Sequence, residues 1–173
     1  MNKATSFQDS PSSNVDYRAG KYLDFFLASE EYGVEILKVQ EIIGRMPITP
    51  VPLTSGYIKG VINLRGKIHP VMDLRVKFGM DSTEMTDETC IVVIRTADRM
   101  MGILVDRVME VVNVLPGEIE NTPSFGADVN SDYLLGVCRS GGRVRLLLDI
   151  EKLLGASDVI MMKNAAGESR QDS

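Results

Sequence analysis

Two copies of one unit occur along this chain, and this internal repeat limits the possible folds more than any other feature of the sequence. When the chain is compared with itself at an offset of 69 residues, identical residues meet at Ala28/Ala97, Gly33/Gly102, Val39/Val108 and Glu41/Glu110. The offset grows to 73 at Thr49/Thr122, and it reaches 76 for Tyr57/Tyr133, Gly60/Gly136, Gly66/Gly142, Asp73/Asp149 and Gly79/Gly155. Because the offset changes only where loops are expected, we interpret residues 21–80 and 89–156 as two copies of a unit of about 65 residues.

Short runs rich in Val, Ile, Leu and Tyr, separated by turn residues, predict a mainly β fold. KYLDFFLA and TCIVVIRT are typical, and each unit contains about five such runs. Five short strands can curl into a small barrel, which removes most of the exposed strand edges. A barrel of about 65 residues has a thin core, so packing two together explains why the unit is duplicated.

Both units end with a short segment that is typical of a helix, DLRVKFG in the first and DIEKLLG in the second. Asp73 and Asp149 suit the N-cap position, and Gly79 and Gly155 suit the left-handed position after the helix. We expect the apolar residues between them to plug the end of each barrel. A metal site at Asp149 and Glu151 is the alternative interpretation, and the cap is the better one.

The rest of the sequence sets the domain limits and the compartment. Residues 1–19 are rich in Ser, Asn, Asp and Gln and are predicted to be disordered, residues 161–173 are predicted to be a mostly flexible tail, and 20–160 form the expected domain. No signal peptide and no run of about 20 apolar residues occurs, which predicts a cytoplasmic protein without direct membrane insertion. Cys90 and Cys138 lie in apolar runs and are expected to be reduced, buried thiols. A net charge of −5 argues against a nucleic-acid surface.

The residues that catalysis needs are scarce. His69 is the single histidine of the chain, so a site with several histidine ligands is excluded. No phosphate-binding loop, dinucleotide fingerprint or nucleophile elbow occurs. His69 precedes Pro70 in an alternating strand, and Arg145 takes its place in the second unit, so we expect a solvent-facing polar position. The sequence predicts no enzyme, no metal and no cofactor.

The segment GVINLRG differs between the two units in a way that the fold alone does not require. Asn63, Leu64 and Arg65 stand where the second unit has Arg139, Ser140 and Gly141. Arg65 could form a salt bridge, for instance to Glu41, while Leu64 covers a core edge. The turn could equally be a contact surface, where arginine and apolar residues are typical of binding hot spots. The residues alone leave both interpretations open.

Three segments, EEYGVEILKVQEII, YIKGVINLRGKIHPVMDLRVKFG and GILVDRVMEVV, closely resemble the CheW family of bacterial chemotaxis coupling proteins. The resemblance covers about residues 20–160, and GVxNLRG followed by a proline and DLR is specific to this family. Similar modules end the histidine kinase CheA and begin CheV, but this chain has no kinase core, phosphoacceptor domain or receiver domain, so a stand-alone adaptor fits best. The implied fold is two intertwined five-stranded SH3-like β-barrels with short helices that share an apolar interface.

The same resemblance implies a non-catalytic adaptor at membrane receptor arrays. It would bind the cytoplasmic tip of methyl-accepting chemotaxis receptors and the regulatory domain of CheA, with barrels of the two proteins alternating in rings. The positions that match the family's receptor-facing residues are Val39, Glu41, Ile58, Gly60, Asn63, Leu64, Arg65, Ile91 and Val111. The loop between Pro116 and Phe125 matches a region of kinase or ring contacts, which makes Glu120 and Phe125 the candidate kinase-binding residues.

Two other functions remain as alternatives. The first is a CheW-like adaptor for a chemosensory pathway other than flagellar chemotaxis, which the sequence does not separate from the main prediction. The second is a double barrel that binds or converts a small molecule with Arg65 and His69. The second is weaker because no acid–base or nucleophile constellation accompanies those two residues.

Overall fold

The computed structural model describes residues 16–52, 54, 56–97, 99–122 and 131–155. Eleven strands and two short α-helices occur within these residues, together with three 3-10 turns. The strands are β1 (Gly20–Leu27), β2 (Glu30–Glu35), β3 (Val39–Gly44), β4 (Ile58–Leu64), β5 (Lys67–Asp73), β6 (Cys90–Arg95), β7 (Met100–Val105), β8 (Arg107–Val114), β9 (Ile119–Glu120), β10 (Leu134–Ser140) and β11 (Arg143–Leu148). The helices are α1 (Leu74–Lys77) and α2 (Ile150–Leu153).

The strands form two sheets, and each sheet combines strands from both halves of the chain. The six-stranded sheet has the order β8-β1-β2-β11-β10-β9, and the five-stranded sheet has the order β3-β6-β7-β5-β4. Neighbouring strands are antiparallel except for the pairs β2–β11 and β5–β7, which are parallel. The first half therefore gives β1 and β2 to the six-stranded sheet and receives β6 and β7 in return. The predicted fold class, mainly β with two intertwined barrels, is confirmed.

The short connections between strands account for this exchange. A single residue, Asp106, separates the end of β7 from the start of β8. If both strands flanked β6 in one sheet they would run parallel, and a parallel connection needs a crossover of about a dozen residues. One residue cannot span that distance, so the chain passes into the other sheet. The three residues Ile36–Lys38 between β2 and β3 impose the same constraint.

The strand registers follow the repeat. In the six-stranded sheet Tyr22 lies opposite Val112, and in the five-stranded sheet Ile91 lies opposite Ile43, which are the equivalent residues at an offset of 69. The parallel pairs also match, because Leu147 lies opposite Gly33 as Val71 lies opposite Gly102. The two sheets are thus copies of one five-stranded arrangement, to which β9 adds a sixth strand.

One alignment of the repeat is corrected by the structure. The sequence pairs Thr49 with Thr122, but the bridge from Thr49 to Val61 has its counterpart in the pairing of Glu120 with Val137. The structural offset at this point is therefore 71 residues, so Thr49 in the first unit is equivalent to Glu120 in the second. The identical Thr-Pro pairs misled the sequence alignment because a loop of different length precedes each one.

The main apolar core lies between the two sheets, and a smaller core lies inside each. Strands of both sheets supply the intersheet core, including the fully buried Phe25, Val34 and Ile103. An aromatic row continues it, with ring centroids 5.8 Å apart for Phe25 and Tyr32 and 5.5 Å apart for Tyr32 and Phe78. Since the largest core is shared, we infer that neither half of the chain has a sufficient core alone.

The two helices begin as predicted. The carboxylate of Asp73 accepts hydrogen bonds from the backbone N–H groups of Arg75 and Val76, and that of Asp149 accepts one from Lys152. Leu74 at the start of α1 and Ile150 at the start of α2 pack into the intersheet core. Both residues therefore lie where the two sheets meet, and the expectation that they plug the barrel ends stays a prediction.

Candidate functional site

The turn between β4 and β5 presents the segment that distinguished the first unit from the second. Arg65 and Gly66 are its two central residues, with φ angles of +54° and +84°, and Leu64 pairs with Lys67 on either side. Two successive positive φ angles are typical of a type I′ hairpin turn. The side-chain oxygen of Asn63 accepts a hydrogen bond of 2.9 Å from the Gly66 N–H, which stabilises the turn.

Arg65 forms a two-pronged ion pair with Glu41. Its Nη1 and Nη2 atoms lie 2.8 and 2.9 Å from the two carboxylate oxygens. Hydrogen bonding by Arg65 lowers the pKa of Glu41 below its ordinary value. Because β3 and β4 are the two edges of the five-stranded sheet, this pair connects the edges across the open side. The salt bridge that the sequence offered as one interpretation is therefore present.

The exposure of this pair leaves room for a partner. The Arg65 side chain is 75% exposed while that of Glu41 is 26% exposed. Exposed ion pairs contribute about 0–1 kcal/mol to stability. Leu64 is half-buried against the core of the five-stranded sheet, so the turn is anchored below and its guanidinium faces solvent.

The equivalent turn between β10 and β11 contains glycine at both central positions. Gly141 and Gly142 have φ angles of +60° and +75°, so they adopt this backbone without steric cost. A non-glycine residue at such an angle costs about 1–2 kcal/mol. Arg65 therefore occupies a position that the fold fills more easily with glycine, which indicates that its side chain has another use.

Three of the predicted receptor-binding residues lie inside the protein. Ile58 is 6% exposed and Ile91 is 0% exposed, each in an apolar core. Gly60 has a φ of +151°, and a Cβ atom there would lie 2.1 Å from the carbonyl oxygen of Thr49. Thr49 and Val61 exchange backbone hydrogen bonds of 2.9 and 2.8 Å across this close approach. In this conformation Ile58 and Ile91 are core residues and Gly60 allows a close approach of two backbones, so the three do not form exposed surface.

The two predicted valines lie in different sheets. Val39 starts β3 in the five-stranded sheet and packs half-buried against the intersheet core. Val111 lies on β8 in the six-stranded sheet and is 47% exposed. The residue equivalent to Val111 on β3 is Ile42, which is 43% exposed and was missed by the sequence analysis. The offset of 69 applied to Val111 would have found it.

A second missed residue lies beside the turn. Ile68 on β5 pairs with Asn63 on β4, and it is 59% exposed. Its neighbour His69 is half-buried and lies opposite Ile62, so the expected solvent-facing position is only partly accessible. An exposed isoleucine next to an arginine gives this turn the mixed apolar and cationic character that is typical of interface hot spots.

The predicted kinase-binding residue Glu120 lies in β9, at the edge of the six-stranded sheet. Its carboxylate forms a 3.0 Å ion pair with Arg139, and both side chains are more than half exposed. Arg139 is the residue that stands at the position of Asn63 in the second unit. Phe125 lies outside the described residues.

The six-stranded sheet contains a cluster of buried charges that the sequence analysis did not identify. Arg145 Nε lies 3.2 Å from Asp24 and 3.1 Å from Glu31, and Arg143 Nε donates a 2.7 Å hydrogen bond to Glu31. Burial, followed by hydrogen bonding with Glu31, raises the pKa of Asp24 to about 6. Burial also acts to raise the pKa of Glu31, but hydrogen bonds from Asp24 and Arg143 outweigh it and lower that pKa.

Potential metal ligands, thiols and cavities of the described residues also bear on what chemistry the protein could perform. Within the described ranges, no three His, Cys, Asp or Glu side chains are grouped as metal ligands. Cys90 and Cys138 are free thiols. Cavities of about 490 and 250 Å³ are lined by other residues and not by Arg65 or His69. The helices of the described part are all too short or too polar to cross a membrane.

Comparisons with known proteins agree with the arrangement of the two sheets. A family model described as the CheW-like domain matches residues 21–158. The chain belongs to the CheW-like family. It is 40% identical over 146 residues to the chemotaxis protein CheW of Klebsiella aerogenes, covering 84% of this chain and 88% of that protein.

More distant relatives support the same membership. The chemotaxis protein CheW of Rhizobium meliloti is 33% identical over 134 residues, covering 78% of this chain and 86% of the relative. The crystal structure of the scaffolding protein TtCheW from Thermoanaerobacter tengcongensis superposes with a TM-score of 0.73 at 29% identity, covering 81% of this chain and 90% of that one. Protein FrzA of Myxococcus xanthus is 28% identical over 141 residues. The two CheW relatives are chemotaxis proteins by name, and TtCheW is described as a scaffolding protein.

Proposed function

We propose that this protein is a non-catalytic scaffold that couples methyl-accepting chemoreceptors to the histidine kinase CheA. It acts in the cytoplasm at membrane-bound receptor arrays and supports their assembly. The observation that carries this proposal is the exposed Arg65–Glu41 pair on a turn where the second unit has glycine. Membership in the CheW-like family supplies the class of partner.

The receptor tip binds at the β4–β5 turn of the five-stranded sheet. Arg65 recognises a receptor carboxylate, either alone or by exchanging it for Glu41, and Asn63 holds the turn in shape. The exposed side chains of Ile42 and Ile68 offer apolar surface near this charge. Leu64 and Ile91 pack in the core of the five-stranded sheet, and Val39 and Ile58 pack in the intersheet core. These positions and Gly60 affect receptor binding through the shape of the sheet.

The regulatory domain of CheA binds the six-stranded sheet at the β9–β10 edge, where Glu120 and Arg139 are exposed. Phe125 is the other candidate kinase-binding residue, while Val111 on β8 stays a candidate receptor contact. The β4–β5 turn and the β9–β10 edge lie on different sheets, so one molecule can hold both partners at once. Since the sheets share one apolar core, a change of orientation at one site reaches the other without any bond being made or broken.

Reconstitution with receptor cytoplasmic fragments and CheA from the same organism tests this function. We expect Arg65→Ala to lower receptor-dependent kinase control about tenfold, because truncating an interface arginine commonly has that effect. Arg45→Ala is the matched control, since Arg45 also forms an exposed ion pair, with Asp87 at 3.3 Å. If the unmodified protein neither co-sediments with both partners nor changes kinase activity, the proposed scaffold function is wrong.

An adaptor of another chemosensory pathway is the second candidate. The similarity to protein FrzA is the observation that favours it. To distinguish the two candidates, the gene is deleted, and flagellar swimming bias and surface motility are both measured. Loss of swimming bias supports the first candidate, and loss of another motility response with normal swimming supports the second.

A further inference from the structure

Arg18, which precedes β1, connects the start of the domain to the edge strand β9 on the other side of the repeat. Its Nη1 atom donates hydrogen bonds of 3.1 Å both to the side-chain oxygen of Asn121 and to the carbonyl oxygen of Leu135. Asn121 directly follows β9, and Leu135 lies in β10. One guanidinium therefore joins two strands that are more than 100 residues away from it in sequence.

The orientation of this guanidinium is set by a local contact. The carboxylate of Asp16 accepts hydrogen bonds of 2.9 Å from Arg18 Nε and 2.8 Å from Nη2. A third bond of 2.9 Å runs from the Arg18 backbone N–H to the same carboxylate. The hydrogen bond from the Arg18 side chain lowers the pKa of Asp16 to about 2, so Asp16 stays ionised at neutral pH. These contacts leave Nη1 free to reach Asn121 and Leu135.

The edge strand that Arg18 reaches is weakly held by its own pairing. β9 has only two residues, Ile119 and Glu120, and pairs with β10 alone. A strand of this length has few backbone hydrogen bonds, and local opening of such an edge requires little free energy. An additional charged donor at Asn121 therefore has a large relative effect on the position of Glu120.

Gly136 makes the contact possible. A Cβ atom at Gly136 would lie 2.8 Å from the carbonyl oxygen of Glu120 and 3.0 Å from Arg18 Nη1. At the equivalent Gly60, the three atoms nearest to such a Cβ would belong to Thr49 and Ile48. The first unit thus has the same close approach of two backbones without an arginine, so the Arg18 contact is particular to the six-stranded sheet and is not a requirement of the fold.

We infer that Arg18 is a positioning residue that holds β9 against β10 and thereby fixes the surface that presents Glu120. The segment before β1 then controls the kinase-facing edge of the protein while leaving the receptor-facing turn on the other sheet unchanged. The positioning of β9 by Arg18 follows from the contacts described above. Control of the kinase-facing edge rests on the proposed function, in which Glu120 contacts the regulatory domain of CheA.

Backbone hydrogen exchange of the whole protein tests the positioning role directly. We expect Arg18→Ala to increase exchange of the β9 and β10 amides about tenfold, because a hydrogen bond from a charged donor is lost. Exchange of β4 and β5 amides should not change. Arg18→Lys keeps the charge but loses the planar guanidinium that donates to several acceptors at once, so it should behave as Arg18→Ala does. Asn121→Ala removes one acceptor and should give a smaller increase in the same amides.

Arg45→Ala is the control for loss of an exposed arginine and should leave β9 exchange at the wild-type rate. If Arg18→Ala leaves the β9 and β10 amides as protected as in the wild type, the positioning role is excluded. Faster exchange of similar size throughout both sheets would also overturn it, since that result indicates a general contribution to stability.

Binding of the isolated CheA regulatory domain tests whether the segment before β1 controls the kinase-facing edge. We expect Arg18→Ala to weaken this binding several-fold and to leave receptor co-sedimentation unchanged, as a few lost interface contacts would do. Glu120→Ala separates the two possible failures. If Glu120→Ala weakens kinase binding and Arg18→Ala does not, control by the N-terminal segment is wrong. If neither variant affects kinase binding while exchange at β9 increases, the kinase assignment in the proposed function fails and the positioning role stands.

Discussion

The two sheets have equivalent strands in the same order, yet their interiors differ at four equivalent positions. The five-stranded sheet has apolar or weakly polar residues at these positions, namely Val93, Met100, Ile62 and His69. The six-stranded sheet has Asp24, Glu31, Cys138 and Arg145 there. One backbone arrangement therefore accommodates both an apolar interior and a buried charge cluster.

This difference shows that the buried charges are not needed to form the sheet. Asp24 is 1% exposed, and both Glu31 and Arg145 are 8% exposed, so all three have lost most of their hydration. Removing ions from water costs several kcal/mol for each ion, and the attraction between them offsets this cost only when every partner is present. The cluster should therefore be sensitive to the loss of one member and tolerant of the loss of all of them.

The largest expected effect comes from removing the cation of the cluster. Arg145→Met leaves two carboxylates buried without their shared partner and should lower the free energy of unfolding by about 3–5 kcal/mol. His69→Met, at the equivalent position of the other sheet, should change it by less than about 1 kcal/mol. Urea unfolding of both variants measures the comparison. Equal losses would mean that the two interiors depend on these positions in the same way.

Replacing Asp24, Glu31 and Arg145 together should not lower the free energy of unfolding. Asp24→Val, Glu31→Met and Arg145→Leu together give the six-stranded sheet an apolar interior like that of its counterpart. We expect the free energy of unfolding to stay the same or to rise by about 1–4 kcal/mol, as for other buried ion groups replaced by apolar residues. The same urea experiment applies. A loss as large as that of Arg145→Met alone would show that the charges are required for the fold.

Because Asp24 titrates and the equivalent Val93 does not, we expect the stability of the protein to depend on pH through Asp24. Its pKa is about 6 in the folded protein against an ordinary value of 3.8, so the folded state holds this proton more tightly. Relative to Asp24→Asn, the wild type should therefore lose about 2 kcal/mol of stability as pH rises from about 4 to about 6, since one pKa unit corresponds to about 1.4 kcal/mol. Unfolding midpoints across this range measure the difference. A difference that is constant with pH would contradict the raised pKa.

The smallest stability effect is expected at the β4–β5 turn. Arg65→Gly copies the glycine of the β10–β11 turn and relieves the positive φ, a gain of about 1 kcal/mol. Loss of the exposed ion pair with Glu41 offsets up to about 1 kcal/mol of this gain. The melting temperature should consequently stay within a few degrees of the wild type, while receptor coupling falls as for Arg65→Ala. A melting temperature lower by ten degrees would mean that Arg65 braces the fold.

Much of the fold could be predicted from repeated residues. Asp73 and Asp149 cap short helices, and Gly60 and Gly136 allow a second backbone to approach, as their recurrence indicated. These are local requirements of backbone geometry, which a single residue type reveals. The β4–β5 turn was also identifiable as distinctive, because Asn63, Leu64 and Arg65 depart from the repeat there.

Other features required knowledge of which strands pair. Asp24 and Arg145 are 121 residues apart, and nothing in their local sequence brings them together. Ile91 matches a receptor-facing position in sequence but is completely buried, because both faces of the apolar run Ile91–Ile94 are covered in the folded protein. Arg18 lay in a segment that was predicted to be disordered up to residue 19, and its contacts are with the distant Asn121 and Leu135.

The sequence by itself determined that this protein is a duplicated β unit with capped helices, repeated glycines and one unusual turn. Only the tertiary structure decided that the halves exchange strands, that one interior is charged, and that Arg18 reaches β9. The physical reason is the range of the interactions. Caps and turns depend on residues a few positions apart, whereas sheet pairing and buried charge depend on residues that folding brings together from both halves of the chain.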